Sequence, residues 1–123
     1  MKKIALMTIL LLSLTIFLLN TPTNISLKDN TYLSPAKIIQ ITTKAAQKEG
    51  INLMYRSICF DVDNKFWRKK LELMDKERAQ KYKFLENKNY QAVCLALIEI
   101  LKGQDIWFFI DKKTGEVLTI CKE

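Results

Sequence analysis

Hydrophobic and polar positions along this chain change period several times, and each change marks an element. Ile4 to Leu19 carries no charge and no helix breaker. Asn20 to Thr31 is polar and contains Pro22. From Ser34 the spacing becomes helical: Ile38, Ile41, Thr42, Ala45 and Ala46 share one face, while Lys37, Lys44, Gln47 and Lys48 lie toward the other. Ser34 suits the N-cap, Pro35 the first helical position and Gly50 a left-handed stop. The pattern predicts an amphipathic helix of about four turns that covers a sheet.

Leu53 to Phe60 reads as a first strand, with Met54, Ile58 and Phe60 on one parity and Arg56 intruding on it. Asp61-Val62-Asp63-Asn64 follows with turn and N-cap chemistry. Lys65 to Glu86 is densely charged. Trp67, Leu71, Met74, Tyr82 and Leu85 fall near one helical stripe, interrupted by Arg78, and predict a long second helix. Glu72 and Lys76 stand four apart in the favourable order for a helical ion pair. After the turn cluster Asn87-Lys88-Asn89, Tyr90 to Leu101 is so apolar that periodicity alone leaves strand and helix open. Tyr90 to Cys94 reads as a strand that becomes buried. Ile98 to Leu101 reads either as its continuation or as an irregular approach to the reversal at Lys102-Gly103-Gln104-Asp105.

The clearest hairpin is Asp105–Thr119. Ile106, Phe108 and Ile110 share one face of its first strand; Trp107, Phe109 and Asp111 share the other. Two apolar faces predict a strand that is central or covered on both sides. Asp111 is placed to bond its own turn, and Gly115 to take the positive φ of a type I turn with a bulge. Val117 to Cys121 closes the hairpin. Together these elements predict an α+β fold: an N-terminal helix and a second charged helix packed on a roughly four-stranded antiparallel sheet.

Charge adds a destination. Lys2 and Lys3 precede the apolar run, as in the n- and h-regions of a secretory signal. The run is a little short of the ~20 residues that span a bilayer comfortably, and Thr21-Pro22-Thr23-Asn24 is a poor cleavage site. A cleaved signal and an uncleaved anchor both remain open. The expected organisation is a signal or anchor over 1–23, a linker over 24–32 and one domain over 33–123, exported to the periplasm or cell envelope. Membrane contact is expected only through an uncleaved N-terminal segment. The whole chain has a net charge of +7; without Lys2 and Lys3, 18 basic residues face 13 acidic ones. This moderate basic bias favours acidic partners. The basic face of the second helix, with Arg68, Lys69, Lys76 and Lys83, has the composition of a nucleic-acid surface. Interspersed acids and the expected export favour a solvated face, so no nucleic-acid partner is expected.

Chemistry is constrained mainly by what is missing. The chain has no histidine, which excludes Ser-His-Asp and Cys-His catalysis and His-based zinc sites. It has three glycines and neither a phosphate-binding loop nor a nucleophile elbow. Asp61 with Asp63, and Asp105 with Asp111, are the carboxylate pairs to consider; both sit in turns, where acids are common. Asp61-Val62-Asp63-Asn64 begins like a calcium loop but lacks the later glycine and the terminal glutamate. No catalytic residue, metal or cofactor is expected. The three cysteines, Cys59, Cys94 and Cys121, have no Cys-x-x-Cys spacing. They read first as small core residues. In an exported domain one bridge becomes possible, and Cys59 with Cys121, both near strand ends, is the favoured pair. Aromatic residues are numerous. Most are expected in the core, with Trp107 the best placed for an exposed anchor and Phe109 on its side of the strand. Arg68, Lys69 and Lys76 supply the alternative surface.

The segment GQDIWFFIDKKTGEVLTI, with Trp107, Phe109, Asp111 and Thr114-Gly115-Glu116-Val117, resembles the C-terminal hairpin of small bacterial proteins of cystatin-like α+β form. Two groups share it: immunity proteins with a nuclear-transport-factor-like fold, and PepSY-like domains. Ser34-Pro35-Ala36 and Lys88-Asn89-Tyr90-Gln91-Ala92-Val93 are also similar to the immunity group. The resemblance covers Leu33–Thr119, and the chain departs from it at the unusually apolar Leu95–Leu101. It implies a non-enzymatic protein that binds and neutralises a toxin, or, as the alternative, an envelope protein that inhibits or regulates a peptidase. The shared motif makes a turn and identifies no active site.

Overall fold

Ser34 opens the first helix as its composition predicts: its hydroxyl accepts the Lys37 amide at 3.2 Å and Pro35 takes the first position. In this computed structural model, which describes residues 31–98 and 103–122, helix α1 spans Pro35–Lys48 and buries Ile38, Thr42 and Ala46. Gly50 beyond its end has φ +72°. The expected signal or anchor, most of the linker, and the segment from Glu99 to Lys102 lie outside the described residues.

Strand β1, Arg56–Phe60, is shorter than the run from Leu53 suggests. Asn52 Oδ1 accepts the Met54 amide and the Leu53 carbonyl accepts that of Arg56, so the approach is a turn. Arg56, the charge on the inward parity, donates to the carbonyls of Leu95 and Gln104. Strands β2 (Tyr90–Leu97), β3 (Ile106–Asp111) and β4 (Val117–Lys122) complete a four-stranded antiparallel sheet in the order β1-β2-β3-β4.

The long second helix is corrected. Lys65 to Glu86 is divided into α2 (Lys65–Leu73), α3 (Lys76–Gln80) and a 3-10 segment, Lys83–Asn87. Met74 is extended, and Asp75 accepts the Arg78 amide at 2.8 Å as the cap of α3. A short acidic side chain that bonds the backbone ahead of it starts a new helix more readily than it continues an old one. Glu72 and Lys76 therefore sit on different helices. The apolar stripe survives the break, because Trp67, Leu71, Met74, Tyr82 and Leu85 still converge on one cluster.

The sheet is covered on both faces. On one, Ile38 and Ala46 of α1 pack with Val93, Leu95, Ile106, Phe108 and Ile110. On the other, Trp67 and Leu85 pack with Ala92, Cys94, Trp107, Phe109 and Cys121. Strand β3, paired on both edges, is buried from Ile106 to Ile110, as its two apolar faces predict. The hairpin turn also follows its residues. Asp111 accepts the amides of Lys113 and Thr114, Gly115 has φ +79°, and the register shifts between Phe109 and Ile110. Leu33–Glu123 forms one compact unit.

Candidate functional site

The joint between β1 and α2 sets the geometry around an apolar notch at the sheet's β1 edge. Asp61 is buried, and its two carboxylate oxygens accept the amides of Phe66 at 3.1 Å and Trp67 at 2.9 Å. This satisfies amides that the first turn of α2 cannot pair internally. Asp63 and Asn64 have φ of 58° and 53°, a conformation that Asp and Asn tolerate better than other residues bearing a Cβ. The Asn64 amide group donates to Tyr90 O at 2.9 Å and accepts from Ala92 N at 2.8 Å. It thus pairs with the start of β2 as a strand would. The Asp61–Asp63 pair works as turn and cap chemistry.

That joint sends α2 across β2 and β3, where Trp67 lies 4.4 Å from Phe109 and 5.5 Å from Trp107 between ring centroids. The two aromatic residues expected as anchors are therefore not on the surface. Phe109 is fully buried and Trp107 nearly so. A strand whose two faces are both apolar cannot offer one of them to a partner once helices cover both.

The same path of α2 leaves the outer edge of the face uncovered. Ser57 and Cys59 on β1 are exposed. Cys59, Phe60, Asp61, Phe66, Cys94 and Trp107 line an open notch of about 330 Å³, almost wholly apolar. Phe66 on its rim is 68% exposed and Val62, next to Asp61 in the chain, 66%; Leu73, 81% exposed, lines a separate groove with Lys70, Met74 and Gln104. Phe66 and Leu73, seven residues apart on α2, share a helical face with Lys69 and Lys70 between them.

The cationic residues expected at the surface are separated by the fold. Lys69 joins the Phe66–Leu73 shoulder. Arg68 turns to the joint, where its guanidinium donates to the carbonyls of Asp63 and Asn64. Lys76 lies on α3 in a separate shallow groove with Leu71, Glu72 and Lys83. Composition identifies the basic helix but not the exposed Phe66 and Leu73 on it. Their signal was present: Phe66 and Leu73 fall off the stripe of Trp67 and Leu71, which leaves two large apolar residues on the solvent side.

The expected bridge between Cys59 and Cys121 is corrected by register. Cys59 pairs with Cys94, Cys94 with Trp107, and Trp107 with Cys121. Three strand spacings of about 4.8 Å separate the outer two, well beyond the reach of a disulfide. No disulfide joins any two of the three cysteines. Burial pushes the Cys94 thiol up to about 12, with smaller contributions from Asp105 and Cys59.

Among the described residues no group of three or more His, Cys, Asp or Glu could hold a metal ion, and no helix is long and apolar enough to cross a membrane. Comparison of the chain with protein-family models, curated proteins and solved structures found no match.

Proposed function

We propose that this protein is a non-enzymatic, exported binding protein of the immunity type, which neutralises a bacterial toxin by protein–protein contact. The observation that carries this reading is an apolar notch lined by the largely exposed Phe66, on a helix whose same face carries Lys69, Lys70 and the exposed Leu73. Each large side chain that a partner covers contributes about 1.5–3 kcal/mol. A central aromatic anchor with a charged rim is the usual anatomy of a binding hot spot. Lys65, Lys69 and Lys70 make an acidic rim the complementary surface. The filled sheet supports binding by an outer surface in preference to a ligand held on a concave face.

The test is protection. Cells that produce a toxin encoded beside this gene should survive when the wild-type protein is made. Phe66→Asp, folded and equally abundant, should protect at least tenfold less, as loss of one anchor worth about 1.4 kcal/mol or more implies. A well-expressed wild-type protein that gives no protection sinks the immunity reading. Export is tested separately by the mass of the mature N-terminus in envelope fractions.

A further inference from the structure

Correcting the cysteine pairing brings another pair together. Cys59 and Cys94 are direct partners across β1 and β2, and both line the apolar notch. The ladder around them is well defined. Asp61 N donates to Ala92 O and Ile98 N to Tyr55 O, so alternate pairs, Cys59–Cys94 included, occupy hydrogen-bonded positions. Cα atoms at such positions stand about 5.5 Å apart, inside the range a disulfide spans. Cys121 is excluded from the pair by the Trp107 ring position between it and Cys94.

We infer that Cys59 and Cys94 form a redox-active dithiol, which closes to a cross-strand disulfide by exchange with a disulfide-bearing oxidant. The inference does not depend on the proposed function. Exposure assigns the roles. Cys59 is exposed and Cys94 is 7% exposed, so the incoming disulfide meets Cys59 first. The Cys59 sulfur attacks one sulfur of the oxidant, forms a mixed disulfide and releases one thiol. The Cys94 sulfur then attacks Cys59 Sγ, forms the internal bond and releases the second thiol. Two protein thiols are oxidised and one external disulfide is reduced to two thiols, which carry away both protons. The second step is the slower one, because only the thiolate attacks and the buried Cys94 holds its proton. Side chains at a hydrogen-bonded pair stand farther apart than at its neighbour. Closure draws β1 and β2 together, and the resulting bond reopens readily under thiol.

The experiment exposes the full chain to oxidised glutathione, quenches by alkylation and maps the peptides by mass spectrometry. Wild-type protein is expected to pass through a glutathione adduct on Cys59 to a Cys59–Cys94 crosslink, with Cys121 alkylated only after denaturation. The closure rate should rise about tenfold per pH unit between pH 7 and 9, following the thiolate fraction. Cys94→Ala should stop at the Cys59 adduct, and Cys121→Ala should behave as wild type. Three outcomes overturn the inference: no reaction at Cys59, a lasting Cys59 adduct in folded wild-type protein, or a crosslink that contains Cys121.

Discussion

Asn64 joins the start of α2 to β2 with one side chain. It occupies left-handed backbone at the start of α2, and its amide group pairs with Tyr90 O and Ala92 N of β2. Asn64→Ala leaves a buried strand amide and a carbonyl unsatisfied. Each such loss costs about 1–3 kcal/mol, so urea denaturation should show a total near 2–4 kcal/mol. Gly115 is constrained by φ +79°, and an added Cβ would stand 2.7 Å from Ile41 Cδ1. The side-chain end can give way; the backbone conformation cannot. Gly115→Ala should therefore destabilise by about 1–2 kcal/mol. Asp111 beside it is held below its ordinary value of 3.8, first by the Thr114 amide and then by that of Lys113. Because the folded value is the lower one, its contribution is complete above 3.8. It is lost as the pH falls through the folded value. Melting temperature followed down to pH 2 should fall less steeply for Asp111→Asn than for wild type.

At the scale of elements, the interior depends on Trp67. Its ring meets Tyr82, Trp107 and Phe109 and attaches α2 to the sheet. Trp67→Ala should cost about 3–5 kcal/mol in chemical denaturation, with the loss of protection from hydrogen exchange greatest in α2. The elements also show what was legible beforehand. Local chemistry with one solution was readable: the Ser34-Pro35 start, the Asp111-to-Gly115 turn and the doubly apolar β3. The break at Met74-Asp75 was not, because the stripe from Trp67 to Leu85 meets the core equally well from two short helices. Only the Asp75 cap distinguishes them, and Asp75→Ala should cost about 1 kcal/mol. Cysteine pairing depends on strand register, which adjacency to strand ends does not specify. Trp107 and Phe109 looked available because a strand's pattern gives its two faces without saying what covers each.

At the scale of the molecule, two helical layers fill both faces of the sheet and leave the β1 edge of one face open. The apolar notch lies there, lined on one side by Phe66, with Lys69 and Leu73 farther along the same face of α2. The proposed function rests on that surface, so a variant that alters it without touching the core separates binding from folding. Phe66→Asp with Leu73→Asp meets this condition, since both side chains are mostly exposed and stability should change by less than about 1 kcal/mol. The most direct measurement is a quantitative pull-down from envelope extracts with wild-type protein and this double variant. A toxin domain should be retained by wild type and lost by the variant at unchanged melting temperature. A peptidase lost in the same way would replace the toxin with the PepSY-like alternative. The same proteins retained equally by both forms would contradict the assignment of this face as the binding surface.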